Sequence, residues 1–260
     1  MILTLDVGNS SIHTILYNDS KEILLEKRDE TLRETNREHY LTFFRNLKIE
    51  AAGPIKEVMI SCVVPRIGDI LIESAQEVFK TKVTSINATN VDLKVHLDNP
   101  LELGADFIAG AYGAFNQYEC PVIIIDMGTA SKISVIGCDQ QFLGGVIQPG
   151  IGQMANILSQ NIDHLPHIEL EVPDQMLGRN TIECIQSGIL HGSLLGLIEM
   201  AKRIEFELNQ PVKMILTGGY IHLYKDTYGI EFNPHIINEG LYYLSKEVRD
   251  EQKSNKKHRL

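Results

Sequence analysis

The sequence predicts an α/β protein made of two related halves, and three observations support that prediction. A chain of 260 residues, 43% apolar and 22% charged, is long enough to bury one large core or two smaller ones. Strand-like apolar runs alternate with stretches of helical spacing, and no low-complexity linker interrupts them. The stretch LTLDVGNSSIHTILY, which begins at Leu3, has a counterpart in IIIDMGTASKISVIG, which begins at Ile123. Two copies about half a chain apart indicate a duplicated domain.

Each repeated stretch predicts a strand, a tight Asp-x-Gly turn and a second strand. Glycine permits the unusual backbone angles of the turn, so the turn itself does not require the preceding acid, Asp6 or Asp126. An Asp before Gly often only forms the turn by bonding its own backbone, and Asp6 alone would not decide the matter. The second copy in a matching context favours a functional carboxylate at both positions.

Phosphoryl transfer is the chemistry that two such turns suit. A phosphate site needs backbone N–H donors, small side chains that allow close approach, and carboxylates that hold Mg²⁺. Asp6 and Asp126 would supply the carboxylates, and the absence of G-x-x-x-x-G-K-[ST] excludes a P-loop. The residues expected to supply donors and room are Gly8, Asn9, Ser10 and Thr129.

Further elements are predicted in chain order from apolar spacing and from the positions of Pro and Gly. The strand at 57–63 is expected to end before Pro65, and Asn99-Pro100 is expected to form a turn. The other predicted elements are helices at 69–79 and 101–118, a strand from 122, a glycine-rich loop at 144–152, a helix from about 153, one or two helices at 181–208, and a strand at 212–216.

Composition limits the partners and the domain organisation. Two domains are expected, 1–118 and 119–260, with a frayed basic tail at 251–260. A formal net charge of −10 argues against a broad nucleic-acid-binding face. No apolar run approaches the roughly 20 residues that span a bilayer, and no basic leader precedes the first strand. We therefore expect a cytoplasmic protein that binds neither nucleic acid nor membrane.

Cysteine and histidine spacing favours free thiols over a zinc site or a disulfide framework. His164 and His167 are separated by Pro166, so both are expected in a loop rather than as ligands. The four cysteines are isolated from one another along the chain: Cys62, Cys120, Cys138 and Cys184.

The complete set of motifs resembles a known group of enzymes. The paired hairpins are similar to those of the acetate and sugar kinase/Hsp70/actin superfamily, whose two ribonuclease H-like halves hold ATP in the cleft between them. Within that superfamily, the chain resembles type III pantothenate kinase, the family related to Bvg accessory factor, over nearly its whole length. The matching segments are Asp6-Val7-Gly8-Asn9-Ser10, Asn99-Pro100, Leu103-Gly104-Ala105-Asp106, Asp126-Met127-Gly128-Thr129-Ala130, Gly144-Gly145-Val146-Ile147-Gln148-Pro149-Gly150, Asn180-Thr181 and Thr217-Gly218-Gly219.

The resemblance implies a homodimeric kinase that phosphorylates the hydroxyl of pantothenate with ATP, the first step of coenzyme A biosynthesis. Asp6 would lie near Mg²⁺, and Asp126 would bind a monovalent cation, K⁺ or NH₄⁺. Asp106 would accept the hydroxyl proton, and Thr181 would contact substrate from the other subunit. The resemblance also implies binding of ATP by Asp6, Val7, Gly8, Asn9, Ser10, Ser11, Ile12, His13 and Thr129, and of substrate by Gly104, Ala105, Asp106 and Phe107.

Asp106 and Thr181 also have an interpretation that needs no ligand. A helix that starts at Leu-Gly-Ala-Asp has open backbone donors and a carboxylate within reach of a bound molecule. An Asp in the first turn also stabilises the helix dipole, by less than about 1 kcal/mol at an exposed site. Asn180-Thr181 likewise suits a helix start. Residue types alone favour the helix-start interpretation, whereas the resemblance favours the functional one.

Two departures from the family pattern lie at the acid-binding end. Phe107 stands where Arg normally follows Gly-Ala-Asp, and Leu97 stands where a Tyr normally precedes Asn-Pro. Phe cannot replace the two-pronged contact of Arg with a carboxylate. Three interpretations follow: a pantothenate kinase with a rebuilt pocket, a related kinase with another acceptor, and a non-catalytic nucleotide-binding or regulatory protein. The presence of Asp6, Asp106 and Asp126 favours catalysis and ranks the third interpretation last.

A third departure is Ser131-Lys132, where the family tends toward Thr-Thr. Lys132 follows Asp126 by a turn and the start of a strand, so its ammonium could take the place of K⁺ beside that carboxylate. Alternatively, the side chain extends into water from an exposed strand face, which is the commoner arrangement for lysine. The sequence leaves both interpretations open.

Overall fold

The computed structural model describes residues 1–32, 36–51 and 53–257, and the side chains of these residues up to 247. The chain forms two compact units. The first unit consists of Met1–Gln117 with Ile236–Leu260, and the second unit is Tyr118–His235. Each unit contains a mixed β-sheet flanked by helices.

The elements alternate along the described part of the chain as an α/β fold requires. The strands are β1 (Ile2–Val7), β2 (Ser11–Tyr17), β3 (Ile23–Glu30), β4 (Glu57–Cys62), β5 (Lys82–Ser85), β6 (Lys94–Val95), β7 (Val122–Met127), β8 (Ala130–Gly137), β9 (Gln141–Pro149), β10 (Lys213–Thr217) and β11 (Glu231–Phe232). The helices are α1 (Arg37–Glu50), α2 (Pro65–Phe79), α3 (Ala105–Gln117), α4 (Ile151–Asn161), α5 (Thr181–Gln186), α6 (Gly192–Leu208) and α7 (Ile236–Lys257).

The sheet of the first unit has the order β3-β2-β1-β4-β5. β1 pairs antiparallel with β2 and parallel with β4. Successive side chains of a strand point to opposite faces, so Leu5 and Val7 enter the core with α1 and α2, while Thr4 and Asp6 lie on the other face. Helix α7 packs on that second face, where Thr4 Oγ1 donates to Asn238 Oδ1 at 2.8 Å.

The strands of the second unit repeat this arrangement in the order β11-β10-β7-β8-β9. β7 pairs antiparallel with β8 and parallel with β10, as β1 does with β2 and β4. Asp126 on β7 is the register partner of Thr217 on β10, as Asp6 is of Ser61 on β4. A duplicated domain produces this correspondence, and the predicted α/β fold with two mixed sheets is confirmed.

Residues 181–208 form one continuous helical run, in which a π-helical turn at Ser187–His191 joins α5 to α6. By length and mean hydropathy, 1.2 over its most apolar window, this is the one described helix that could cross a bilayer. Leu194, Leu197 and Ala201 of the run belong to the same buried core as Ile125 of β7. Core helices satisfy the same length and hydropathy criteria, so the run is weak evidence for a membrane segment.

The glycine-rich segment 144–152, predicted as a loop, instead completes β9 and begins α4. Gly144 has φ +149°, and the β8–β9 register shifts beside it, with Val135 opposite Gly144 and Ile136 opposite Phe142. A glycine inside a strand often marks such a bulge. The loop prediction is wrong because strand pairing accommodates this glycine where the register changes.

Helix boundaries differ from the predicted ones by a few residues. α2 begins at Pro65 rather than at 69, because Pro suits the first helical position, where its missing N–H has no partner to lose. α3 begins at Ala105 rather than at 101, after a 3₁₀ turn whose Asn99 Oδ1 accepts from Leu101 N at 3.2 Å. β3, α1 and α7 lie where no element was predicted.

Helix α7 belongs to the first unit, which differs from the expected boundary that gave 119–260 to the second domain. α7 packs on α3 almost backbone to backbone. A Cβ at Gly240 would lie 1.8 Å from Ala109 O, and a Cβ at Gly113 would lie 2.1 Å from Ile236 O. The helical backbone continues to Lys257 through most of the expected tail at 251–260, and residues 258–260 lie outside the described residues.

Candidate functional site

The turn between β1 and β2 is short, exposed and free of bulky side chains. Gly8 N donates to Ser11 O at 3.0 Å, which leaves Asn9 and Ser10 at the tip of the turn. Thr31 supports the turn from the end of β3, with its N donating to Ser10 O at 3.1 Å and its Oγ1 to Gly8 O at 2.8 Å. Such a turn offers backbone N–H groups and little steric hindrance to an anion.

Val7 and Ile12 flank this turn and differ from it in exposure. Both side chains are buried in the core of the first unit. Both positions belong to the segment predicted to bind ATP, and because their side chains are buried they can present only backbone groups to a ligand.

The ring of His13 is also buried and is bonded through both nitrogens. Nε2 lies 2.8 Å from Glu26 Oε1, and Nδ1 lies 3.2 Å from Asn238 Nδ2. Because Asn238 Oδ1 accepts from Thr4 Oγ1, its Nδ2 is the donor to His13 Nδ1, and Nε2 then donates to Glu26. His13 therefore links β2, β3 and α7 within the first unit.

Asn238 was not singled out from the sequence, although it is only 1% exposed. Its neighbours on the buried face of α7 include Ile236, Leu241 and Leu244. A lone amide on an apolar helix face is the signal that could have identified it, since a buried polar side chain requires a hydrogen-bond partner.

Asp6 lies near the end of β1 between polar neighbours on both sides. Its register partners are His13 on β2 and Ser61 on β4, and Ser61 Oγ donates to Asp6 Oδ1 at 3.4 Å. The Asp6 carboxylate is half-buried. Burial raises the pKa of the adjacent Cys62 thiol above its ordinary value, and the charge of Asp6 raises it further. Cys62 is therefore a protonated thiol at neutral pH.

Asp106 lies in the first turn of α3, where its carboxylate is held by backbone. Phe107 N donates to Asp106 Oδ1 at 2.9 Å, and Ile108 N donates to Gly104 O at 3.1 Å as the helix begins. A Cβ at Gly104 would lie 2.7 Å from Asp106 Oδ1. Glycine at position 104 therefore provides the space in which this carboxylate lies. Asp106 and Phe107 are half-buried, and Ala105 is buried.

Asp126 occupies in the second unit the position that Asp6 occupies in the first. It lies on β7 directly across the hairpin from Lys132 on β8. Lys132 Nζ is 3.1 Å from Asp126 Oδ2, within hydrogen-bond distance, and both side chains are largely buried. The lysine that the sequence could not place is therefore ion-paired with the carboxylate.

Three glycines bring backbone close to the second hairpin turn. A Cβ at Gly218, whose φ is +101°, would lie 2.5 Å from Asp126 Oδ1, and one at Gly128 would lie 3.3 Å from the same atom. A Cβ at Gly150 would lie 2.3 Å from Thr129 O. Positions 150 and 218 therefore require glycine for the turn that carries Asp126 and Thr129 to pack as it does.

Thr181 is the first residue of α5. Asn180 Oδ1 accepts from Glu183 N at 2.9 Å and caps the helix, as its residue type predicts. Thr181 is exposed on the rim of a groove of about 570 Å³ in the second unit. The apolar lining of this groove comes from Leu158, Leu165, Ile185 and Ile189.

Comparison with known proteins finds sequence relatives over almost the entire chain. A family model for type III pantothenate kinase matches residues 2–203. A type III pantothenate kinase from Roseiflexus sp. (strain RS-1) is 35% identical over 248 residues, which cover 93% of this chain and 96% of the relative. Another, from Solibacter usitatus (strain Ellin6076), is 32% identical over 251 residues, which cover 94% of this chain and 95% of the relative.

Solved structures are similar in fold at lower identity. A protein from Campylobacter jejuni described as a Baf family transcriptional activator has a TM-score of 0.63 at 18% identity, with 95% of this chain and 99% of that chain covered. A 2-dehydro-3-deoxygalactonokinase protein from Sinorhizobium meliloti has a TM-score of 0.57 at 13% identity, with the same coverage of 95% and 99%. These similarities show the fold, which is that of actin-like ATPases and sugar kinases.

The family model covers well over half of the sequence, and both sequence relatives are matched over nearly their full lengths. The chain belongs to the type III pantothenate kinase family.

Proposed function

We propose that the protein transfers the terminal phosphate of ATP to the hydroxyl group of pantothenate, the first step of coenzyme A biosynthesis. The observation that carries this proposal is membership of the type III pantothenate kinase family over most of the chain. By that membership the chain is an ATP-dependent pantothenate kinase. The roles of individual residues are inferred from their positions in each unit.

The first hairpin is the proposed phosphate-binding element. The segment from Asp6 to His13 would contribute the backbone of half-buried Gly8 and of exposed Asn9 and Ser10 to the ATP phosphates. Asp6 is a half-buried carboxylate beside this turn, and its oxygens suit Mg²⁺, which prefers one or two carboxylates together with phosphate oxygens. Bound Mg²⁺ would neutralise phosphate charge. Thr129, on the corresponding turn of the second unit, is the further proposed contact to ATP.

Asp106 is the proposed general base. Its carboxylate would accept the proton of the substrate hydroxyl while the oxygen attacks the γ-phosphorus and the bond to ADP breaks. Phe107 N holds Asp106 Oδ1 at 2.9 Å, which fixes the orientation of the carboxylate on the first turn of α3. This contact supports the helix-start interpretation as well. The two roles are compatible, because a base must be held in position to act.

Phe107 and Leu97 are the reason to consider a second acceptor. Both side chains are half-buried and apolar, and neither offers the charged fork that binds a carboxylate in two places. Gly104, Ala105 and Phe107 would line the acceptor pocket with Asp106. An acceptor less acidic than pantothenate would suit this lining, and a related small-molecule kinase is therefore the alternative function.

The groove beside Thr181 supports a homodimer as the active form. Leu177 and Ile182, both exposed, lie in the same segment as the groove-lining residues Gly178 and Ile185. In a two-fold interface the same patch must supply both the protruding side chains and the cavity that receives them, and this patch has both. Thr181 on the rim would then reach substrate of the other subunit. As an ATP-dependent metabolic kinase, the dimer is proposed to act in the cytoplasm.

An acceptor panel tests the proposed function. ADP release would be measured with ATP, Mg²⁺ and either pantothenate or analogues in which the carboxylate is replaced by an uncharged group. Pantothenate-dependent turnover is expected, and Asp106→Asn should lose roughly 10²- to 10⁴-fold in rate while nucleotide still binds. Turnover only with an uncharged acceptor would establish the alternative kinase. ATP binding without turnover on any acceptor would indicate the regulatory interpretation.

A further inference from the structure

Lys132 forms a largely buried ion pair within the second unit. It is the register partner of Asp126, so both side chains leave the same face of the sheet at adjacent positions. Nζ lies 3.1 Å from Asp126 Oδ2, with only 14% of the lysine and 12% of the aspartate side chain exposed. This geometry rejects the interpretation in which Lys132 extends into water.

Exposed lysines elsewhere in the second unit provide the contrast. Lys225 also contacts a carboxylate, Asp174, at 2.8 Å, but 85% of its side chain is exposed. Pairs of that kind contribute little, because water screens the two charges. In a pair removed from water, the loss of one partner leaves the other charge uncompensated. Lys132 is therefore the fixed counter-charge of Asp126.

The surroundings of Asp126 do not suit the monovalent cation that the resemblance implies there. Oδ2 already contacts the ammonium of Lys132. On the other side, Gly218 approaches Oδ1 so closely that a Cβ would lie 2.5 Å away. A K⁺ or NH₄⁺ ion at this carboxylate would lie beside a like charge, and like charges in a partly desolvated site repel strongly.

We propose that the ammonium of Lys132 replaces the monovalent cation, so that this kinase turns over without K⁺ or NH₄⁺. The inference rests on the proposed role of Asp126 as the ligand of that cation. An ammonium carries the same charge as K⁺, and its three N–H donors can serve carboxylate and phosphate oxygens together. Because the charge is covalently attached, it is present at every ionic composition of the medium.

Titration of K⁺ into the unaltered enzyme is the first test. Pantothenate-dependent ADP release would be measured in choline salts, with K⁺ or NH₄⁺ absent and then added to saturation. The wild-type rate is expected to stay unchanged. Lys132→Thr is expected to lose roughly 10²-fold in rate without K⁺, because a positive charge is missing at the site, and to recover with K⁺. Lys213→Thr, on the exposed side of β10, is the matched control and should behave like the wild type.

Thermal unfolding provides a readout that does not depend on turnover. A ligand that binds the folded state raises the unfolding midpoint, so K⁺ should raise the midpoint of Lys132→Thr and leave that of the wild type unchanged. Lys132→Arg keeps the positive charge, so its rate and its unfolding midpoint should remain independent of K⁺. This variant provides a test if Lys132→Thr fails to fold.

Two results would overturn the inference: strong activation of the wild type by K⁺, or full K⁺-independent activity of Lys132→Thr. Absence of pantothenate phosphorylation by the wild type with any cation would instead reject the proposed function. In that case the K⁺-dependent midpoint of Lys132→Thr would still decide whether Lys132 occupies a cation site.

Discussion

Gly104→Ala should reduce catalysis far more than it reduces stability. The added Cβ would lie 2.7 Å from Asp106 Oδ1, whereas a carbon and an oxygen in ordinary contact stay about 3.3 Å apart. The carboxylate oxygen must therefore move by about 0.6 Å, and the 2.9 Å hydrogen bond from Phe107 N would weaken or break. The atom nearest the added Cβ belongs to the short Asp106 side chain, which can rotate away without displacing backbone.

The expected magnitudes differ because the two effects have different causes. A catalytic group displaced by about 1 Å can cost on the order of 10²-fold in rate, so a 10- to 100-fold loss of kcat is expected. Gly104 precedes the first residue of α3, where replacement of glycine by alanine costs about 1 kcal/mol, and the unfolding midpoint should fall by only about 2–4 °C. Gly196→Ala is the control, because a Cβ there meets nothing within 4 Å.

Steady-state kinetics with pantothenate and thermal unfolding, measured on the same preparations, would test this separation. Gly196→Ala should keep full activity and gain slightly in stability, since alanine is the better helix former. In an Asp106→Asn background, Gly104→Ala should cost little further rate, because both changes act through one carboxylate. A folded Gly104→Ala enzyme with wild-type kcat would refute the assignment of Asp106 as the base.

Three further results are expected. Phe107→Arg should lower the KM for pantothenate by about tenfold and leave the KM for an uncharged analogue unchanged, because Arg restores a charged contact to the substrate carboxylate. An unchanged KM for pantothenate would place that carboxylate elsewhere. Leu177→Glu, next to the groove-lining residue Gly178, should shift sedimentation toward monomer and reduce activity. Phe206→Glu changes a similarly exposed side chain that is not next to a groove-lining residue in the sequence and should do neither, and an active wild-type monomer would contradict the dimer. Cys62 should be alkylated more slowly than exposed Cys138 near pH 8, because its raised pKa leaves less of the reactive thiolate. Peptide mass spectrometry measures both rates, and equal rates would count against a raised pKa of Cys62.

The features that the sequence predicted well are those whose cause lies within one short segment. Each Asp-x-Gly hairpin contains both of its strands and its turn, so the pairing that places Asp6 and Asp126 was readable from adjacent residues. Gly144 was misinterpreted because its bulge depends on the register of β8 rather than on β9 alone. The position of Lys132 was undecided for the same reason, since a shift of one residue would have turned it to the other face.

Long-range partners could not be predicted at all. Asn238 forms hydrogen bonds with Thr4 and His13, which lie more than 200 residues earlier in the sequence, and no local pattern predicts those partners. Gly113 and Gly240 meet across α3 and α7, a contact that depends on the return of the C-terminal helix to the first unit. Their small size was visible in the sequence, but the reason for it was not.

The return of α7 to the first unit has a consequence for how the protein is made on the ribosome. Residues 1–117 emerge before the second unit, yet the face of the sheet on which Asp6 lies cannot be fully covered until α7, which follows the second unit in the chain, has been synthesised. The second unit, Tyr118–His235, is continuous in sequence, so it can fold while the first unit still lacks α7. A nascent chain stopped after His235 would leave Thr4 and His13 without their amide partner and Gly113 facing no helix. The first unit is therefore completed only after the second unit has been synthesised.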